Sequence, residues 1–538
     1  MAIRELPFDL YVHILEQLTP LTDSAESVST LVSCLATSSS FRAAASVSGL
    51  WEPHYHARYT ICDVAKEQSR KQSTGGDWRL MYLERRRIDR ETLDILSKMV
   101  MERGDGRLER AREVNSMFSF DAWNVLEIAA SYPLPEIFNE PGVQERRPVP
   151  SHAVPMRFWA QMLLGTIARS HAVSTWGNLK SNDTPKALEL SFACVSSFFL
   201  YPPMKVRISL GSLLKNGSAP SRSCPSLRNL RFSVKPTLLS AKFLSTRLNS
   251  PVMLERSASS VLPSATSCGA AVLKLRVVSS LSNMTIYVLF KNIPGQQFHL
   301  LQTRLPHLFL TTHKATIPIS LVYVFVCIAQ KMGVTAAPVN FPGRVLAVVS
   351  SPDPCVSDIF VDVFGSRTQA ILSLRDDIPH LLIQAGITPV SMLRYITPTS
   401  CASMLVRTSR NVLASFSIMP SSAVSEDMLH TAFYASLMIN VIFMHDDRYL
   451  QNIIQHINRF LLDLYPVLVD SLSPLLNSPL REQLMMYCET VVEGEKEAAA
   501  ALHPRSALTR EVKFFVGMVF KHAAYGYVGY IYGWDVSI

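Results

Sequence analysis

The sequence has little charge. Asp, Glu, Lys and Arg make up 18% of its 538 residues, against 48% apolar ones. Sizeable cores can therefore form, and three or more domains are plausible at this length. It has nine cysteines, but no CxxC pair and no metal-site spacing, so free thiols in a reducing compartment are expected. No P-loop, GxSxG, HExxH or GxGxxG occurs, which removes the usual signatures of nucleotide binding, serine hydrolysis, zinc proteolysis and dinucleotide binding. No metal and no cofactor is expected. A membrane-length apolar run is also missing. The longest, about Ile317 to Ala329, is too short for a bilayer, and the opening MAIRELPFDL carries charges and no signal-peptide core. A chain of the cytoplasm and/or nucleus with no membrane partner is expected.

Acids are nearly absent from one segment. Between Lys205 and Ala315 fifteen Lys and Arg stand against a single Glu255, so this segment carries +14 of a net +9 and the rest of the chain carries −5. The basic balance is thus local and does not by itself imply nucleic acid. No helical or alternating period holds there for long. Two accounts compete: a flexible insert, or a faulty gene model translating intron or wrong-frame sequence. The abrupt return of ordered chain near LPHLFLTTHKATIPISL favours the second.

What is present is organised around Thr316 to Phe364. TIPISLVYVFVCIAQKMGV predicts an apolar helix from about Ser320 to Met332, closed by Gly333. VNFPGRVLAVVS and IFVDVF predict two short strands, Leu346–Ser350 and Ile359–Phe364. A buried helix followed by hairpin-like strands is an α+β core. These lines, with ALELSFACVSSFFLYPPM upstream and the Leu-x-Arg-x-x-x-Asn line at Arg407 and Asn411, resemble the transglutaminase-like domain of the SirB type. The resemblance implies a nucleophile at the helix start, a His on the first strand and an Asp on the second. The matching positions hold Ser320, Arg344 and Asp362. Only the Asp survives, which implies a relic of a cysteine enzyme.

Arg344 stays protonated and cannot act as a base, and Ser320 is a poor nucleophile without one. Cys194 and Cys327 lie on apolar helices, where a structural thiol is the default. His313 and His380 could serve as bases only if the fold brings them close. Asp376 and Asp377 suit the positive end of a helix over Ile378–Ala385 better than a metal or acid/base couple. His445, Asp446 and Asp447 fit a helix–helix turn better than a metal cluster.

At the N-terminus LPFDLYVHILEQL predicts a helix with Leu10, Ile14, Leu15 and Leu18 on one face. With STLVSCLATSSSFRAAA and GLWEPHYHARY it resembles an F-box, although its insert TPLTDSAESVS is longer than the family's usual loop. The resemblance implies a small helical bundle docking on a Skp adaptor through Leu6, Pro7, Ile14, Leu15, Leu18, Leu31, Val32 and Trp51. An ordinary helical subdomain is the competing account. Residues 61–150 read as helical. Their run ERRRIDRE fits a solvated helix face better than a nucleic-acid patch. MRFWAQMLLGTIARSHAVSTWGNL predicts an amphipathic helix.

Residues 425–510 read as a helical connector. The last stretch, VKFFVGMVFKHAAYGYVGYIYGWD, alternates aromatic and β-branched residues with Gly, as in strand–turn–strand. It resembles the opening of the YccV-like, hemimethylated-DNA-binding domain, which implies DNA contacts through Lys513, Lys521, His522, Tyr525 and Trp534. The same aromatics could simply fill a small barrel. The match begins near Val512, and the sequence stops at Ile538, so a truncated domain is expected.

The fold class expected is multidomain and mainly α with α+β parts. It comprises an F-box at 1–60, helices at 61–150, a transglutaminase-like SirB-type domain at 151–424 interrupted by 205–315, the connector at 425–510, and an incomplete β-barrel at 511–538. The three resemblances together imply a non-catalytic substrate receptor of a cullin-type ubiquitin ligase, with a Skp adaptor, a cullin and an unidentified target protein as partners. DNA binding through the C-terminal strands is one alternative, and an active transglutaminase-like or hydrolase enzyme is another.

Overall fold

The structure is a computed structural model. It describes residues 6–20, 26–101, 105–135, 148–181, 187–198, 300–304, 316–350, 357–364, 370–388, 392–418, 426–444, 446–457, 461–500, 519–523, 525–526 and 528–530. The expectation for residues 205–315 lies outside these, apart from a 3-10 turn at Leu301–Arg304. The described chain is mostly helical with small antiparallel sheets. It divides into two compact units, Met1–Ile167 with Cys488–Ile538, and Ala168–Tyr487.

The first unit opens with α1 (Phe8–Glu16), α2 (Glu26–Thr37), α3 (Ser39–Ala45) and α4 (Ser48–Arg58). The starts are set locally. Asp9 lies in the first turn of α1, and Ser38 accepts the Phe41 N–H at 3.3 Å to cap α3, as short oxygen side chains do at helix N-termini. The helices close on Leu15, Leu31, Ala44, Ala45, Leu50, Trp51 and Tyr55. Trp51 is 1% exposed, and its indole N–H donates to the Ala45 carbonyl at 2.8 Å, so its one polar atom is satisfied inside the core.

Next come α5 (Val64–Ser73), capped by Asp63, and the long α6 (Trp78–Met101). The run ERRRIDRE sits on α6, and only part of it is the solvated face expected. Arg87 pairs with Glu84 and Glu91 at the surface, while Arg85 and Asp89 are 0% and 1% exposed. Helical spacing explains the split. Residues 85, 89 and 92 share the face that carries Ile88 and Ile95 inward, and 84, 87 and 91 share the other. Arg85 donates to Asp121 Oδ1 at 2.7 Å and to the carbonyls of Ile61 and Asp121, both at 3.1 Å. Arg70 bonds the second oxygen of Asp121 and also Glu67. Asp121 is held in a 3-10 turn, Ser119–Ala122, between α7 (Asp105–Glu113) and α8 (Trp123–Ala130). Arg58 and Tyr59 bond Asp89 at 3.1 and 3.2 Å, and the Arg85 guanidinium lies 4.5 Å from the centre of the Tyr59 ring.

The helix expected to be amphipathic is α9 (Ala153–Ser181). It is buried on nearly every side between Trp159 and Trp176. Its polar residues Thr166, Arg169 and Thr175 are buried with the rest, so they do not mark a solvent face.

The second unit is built on α11 (Pro318–Lys331), with α10 (Ala187–Ser197) packed beside it. Every residue of α11 from Ile319 to Ala329 is buried. The helix starts with Pro318, whose missing N–H costs nothing there. It stops at Gly333, φ 75°. The Gly333 and Val334 N–H groups return to the Gln330 and Ala329 carbonyls at 3.0 and 2.9 Å, a Schellman close. The two strands expected are β2 (Leu346–Val349) and β3 (Ile359–Val361), and they belong to a larger sheet. β1 (Ala336–Val339) and β4 (Ile371–Leu372) complete a four-stranded antiparallel meander in the order β1-β2-β3-β4. β1 and β4 are short and hold a Pro or only two residues, too little pattern to be read from sequence. β1 and β2 pack on α11. Phe360, Leu346 and Val348 pack with Ile378 and Leu382 of α12 (Asp377–Gln384), so β2 is buried on both faces.

The unit continues through α13 (Leu393–Ile396), α14 (Cys401–Ile418), α15 (Glu426–Met444), α16 (Asp447–Ile457) and α17 (Leu461–Pro466) into the start of α18 (Ser478–Ala500), whose residues from Cys488 on, like the C-terminal hairpin, belong to the first unit. Asp446 stands between α15 and α16, in the helix–helix turn expected there. Among the described residues no group of His, Cys, Asp and Glu could hold a metal. No helix among them is long and apolar enough to cross a membrane. A hairpin, β5 (Val519–Lys521) and β6 (Val528–Tyr530), pairs Phe520 with Gly529. The rest of the segment 511–538, expected to be an incomplete barrel, lies outside the described residues.

Two stability tests follow. Asp121→Ala strips Arg85 and Arg70 of their shared carboxylate and should cost about 3–5 kcal/mol. Arg85→Met with Asp121→Leu together should cost less than that single change, read by urea unfolding of the same chain. His54 is 4% exposed, and burial holds its pKa below the ordinary 6.5. Its contribution is therefore present above pH 6.5 and is lost as pH falls through the folded value. Melting temperature should fall more steeply below that pH in the native chain than in His54→Gln.

Candidate functional site

The sheet register brings Arg344 and Asp362 together. β2 and β3 pair Ala347 with Val361. Continued by one residue, that register sets Leu346 opposite Asp362. Arg344 is then the diagonal neighbour of Asp362 on the same face, within reach of a long side chain. Arg344 Nη1 donates to Asp362 Oδ2 at 3.1 Å. The Phe364 N–H donates to Asp362 Oδ1 at 3.1 Å, and the Asp362 N–H donates to the Ala370 carbonyl at 2.8 Å. Asp362 is thus fixed by backbone on both sides, while the Arg344 side chain is 42% exposed.

Ser320 lies in the first turn of α11. It is 1% exposed, and its Oγ has no hydrogen-bond partner. No hydrogen bond joins it to Arg344 or Asp362. Of the three positions, the structure therefore links two and leaves the third without a base. The linked pair joins two charges that neutralise each other, and the guanidinium, already protonated, cannot accept a proton.

The thiols fare no better as nucleophiles. Burial pushes the Cys194 thiol up to about 12, with Thr175 bonding against that shift, so it is a neutral thiol at physiological pH. Cys327 is 7% exposed on the same helix as Ser320. His380 is exposed and shares a hydrogen bond with Gln384 at 3.3 Å, and His313 lies outside the described residues. Asp376 and Asp377 lie at the positive end of α12, as expected: Asp376 is its N-cap residue and Asp377 stands in its first turn. Asp376 makes no side-chain cap bond and accepts the Ser373 hydroxyl instead, while Asp377 accepts the Ser373 N–H at 2.7 Å, so the pair also ties down the turn before the helix.

A cleft of about 500 Å³ opens beside this sheet. Asn340, Phe341, Pro342 and Gly343 of the β1–β2 loop form one wall, Ile387 and Tyr395 another, and Ser403, Arg407 and Arg410 of α14 the third. Arg407 belongs to the Leu-x-Arg-x-x-x-Asn line of the sequence. It is half-buried, and its Nη1 donates to Asn340 Oδ1 and, at 3.1 Å, to the Phe341 carbonyl. Burial lowers its pKa from the usual 12.5. The sequence signal that could have found the wall is the spacing of Ser403, Arg407 and Arg410, four and then three apart on one helix face.

The N-terminal residues divide into two sets. Leu15, Leu31 and Trp51 are interior, with Leu18 packed against them, and hold the bundle together. Leu6 and Ile14 are 48% and 52% exposed, and Val32 50%; Pro7 is also exposed. Phe8 and Leu10, which the sequence reading left out of the set, are exposed as well. At the other end of the chain Lys521, His522 and Tyr525 belong to the β5–β6 hairpin. Tyr525 is 80% exposed, and its N–H donates to His522 Nδ1 at 3.2 Å. Lys513 and Trp534 lie outside the described residues.

The two partners of the central ion pair should not be equivalent. Arg344→Gln should cost under about 1 kcal/mol, because the pair is solvent-screened. Asp362→Ala also removes the acceptor of the Phe364 N–H and should cost about 1–3 kcal/mol, measured by urea unfolding side by side.

No curated protein and no solved structure matches the chain. Residues 297–410, which carry Ser320, Arg344, Asp362 and the cleft, match the transglutaminase-like superfamily, and this stretch is a transglutaminase-like domain.

Proposed function

We propose that the chain is a substrate receptor of a cullin-type ubiquitin ligase, with its N-terminal bundle as an F-box and its transglutaminase-like domain as the target-binding part. The observation that carries this is the apolar surface of the bundle. Leu10 and Ile14 stand four apart on α1, each about half exposed, and Leu6 just before the helix, Phe8 and Val32 are also open. Leu15, on the opposite side, already fills the interior, so the exposed set has no role in holding the bundle. Exposed apolar clusters of this kind suit a protein partner, and a Skp adaptor is the partner the F-box resemblance implies. The bundle is small, so its exposed residues sit on a rigid frame fixed by Trp51 and Leu31.

The transglutaminase-like domain is read as catalytically silent. Ser320 is buried without a base, Arg344 cannot deprotonate, and the Cys194 thiol is held protonated by burial. Turnover would then belong to the other subunits of the ligase. A domain that keeps the core of an enzyme but not its reacting groups can still use its surface to bind polypeptide.

Adaptor binding is the test. Pull-down of a Skp adaptor and its cullin by the full chain should succeed. Leu6→Ala with Pro7→Ala, and separately Ile14→Ala, should weaken it by about 1.5–3 kcal/mol for each large apolar side chain buried in the contact. Capture that survives all three substitutions overturns the assignment, as does a chain that binds DNA and no adaptor.

A further inference from the structure

We infer that the cleft between the β1–β2 loop and α14 is a binding site for an oxyanion carried on a peptide, a carboxylate or a phosphate, with Arg407 and Arg410 as its cationic wall. The argument starts from uncompensated charge. Among the described residues neither arginine pairs with a carboxylate. Arg407 is anchored by neutral oxygens only, Asn340 Oδ1 and the Phe341 carbonyl. Arg410 reaches no closer partner than the Met444 sulfur, at 3.9 Å. A half-buried guanidinium held by neutral acceptors keeps its full charge where water is scarce, a costly arrangement unless something completes it. Arg85 in the first unit shows how this chain treats a guanidinium with a purely structural role: it is set on Asp121 at 2.7 Å. Among the described residues no carboxylate lines the cleft.

The geometry then selects the ligand. Arg407 spends Nη1 on the loop, and its remaining N–H groups stay available as a planar fork for two oxygens of one anion. Arg410 follows three residues later on the same helix face, with Ser403 four residues before Arg407, so a hydroxyl and two guanidinium groups line one wall. Phe341, Pro342, Ile387 and Tyr395 make the other walls apolar. A volume of about 500 Å³ lies within the usual range for a site that buries a small group. It fits one or two side chains of a peptide better than a folded surface. An apolar cleft with two convergent cations suits an acidic or phosphorylated residue flanked by apolar ones.

The site deepens the reading of this domain as the target-binding part and rests on that reading only for which protein supplies the peptide. The experiment therefore omits the adaptor. Full-length chain is titrated by fluorescence anisotropy with three labelled peptides of the same apolar background, carrying a central Glu pair, a phosphoserine, or Gln and Ser. Inorganic phosphate is added as competitor. The anionic peptides should bind at least tenfold tighter than the neutral one, the difference shrinking as salt rises, and comparison of the Glu and phosphoserine arms assigns the anion. Arg410→Gln, on an exposed side chain, should lose most of that difference. Arg407→Gln should lose all of it. Arg375→Gln, exposed and outside the cleft, should lose none. Should Arg407→Gln unfold because it also holds the loop, Arg410→Gln still decides. Equal binding of charged and neutral peptides, or an Arg410→Gln chain that binds like the parent, overturns the inference. Loss of adaptor capture with peptide binding intact would overturn the ligase reading and leave this site standing.

Discussion

A guanidinium taken out of water must be neutralised where it lies, and the first unit is arranged around doing so. Arg85 is 0% exposed on α6. Its carboxylate, Asp121, is supplied by a 3-10 turn far along the chain, and its Nη2 donates to the Ile61 and Asp121 carbonyls, which leaves only Nε without a partner among the described residues. Arg70, Glu67 and Tyr55 extend the network to α5 and α4. Buried ion pairs of this kind are weak as net stabilisers but expensive to break. Their effect is to make one arrangement of α4, α5, α6 and the turn before α8 far better than its neighbours. The bundle at the N-terminus shares Tyr55, Tyr59, Met81 and Tyr82 with that network, so its exposed apolar side chains stand on a fixed base.

The second unit solves a different problem. α11 is apolar around its whole circumference and has to be covered on every side. β1 and β2 cover one side and α10 another. Burying β2 on both faces then requires α12 on the far side of the sheet, which Ile378 and Leu382 provide. Asp362 is pinned at the end of β3 by the Phe364 and Ala370 backbone as well as by Arg344. The partner it faces is a guanidinium, which stays protonated and cannot serve as a base.

The two arginine environments in the chain make a useful contrast. Arg85 has a carboxylate and no access to solvent. Arg407 has neutral partners and opens on a cleft. Equal residue types thus take a structural role in one place and a recognition role in the other, and the difference lies in what stands opposite. Arg410, solvated beside it, adds charge at little desolvation cost.

Much of the framework was legible from the sequence. Local patterns placed the helix α1, the helix from Ser320, the strands Leu346–Ser350 and Ile359–Phe364, and the turn at Asp446, because period and capping chemistry act within a few residues. The single apolar face expected on α1 is instead split, with Leu15 and Leu18 turned inward and Leu10 and Ile14 exposed. The pairing of Arg344 with Asp362 was also legible, through the resemblance that placed them on adjoining strands. What only tertiary structure decided was which charges go inside. ERRRIDRE reads alike at Arg85 and Arg87, yet one is buried on Asp121 and the other sits between Glu84 and Glu91 at the surface. Likewise, α9 carries polar residues that looked like a solvent face and are buried, and Asp377, in the first turn of α12, also holds the Ser373 amide of the preceding turn. The physical reason is common to all three. The cost of burying a polar group depends on the partner opposite it, and that partner arrives from elsewhere in the chain or from a turn whose geometry local pattern does not set.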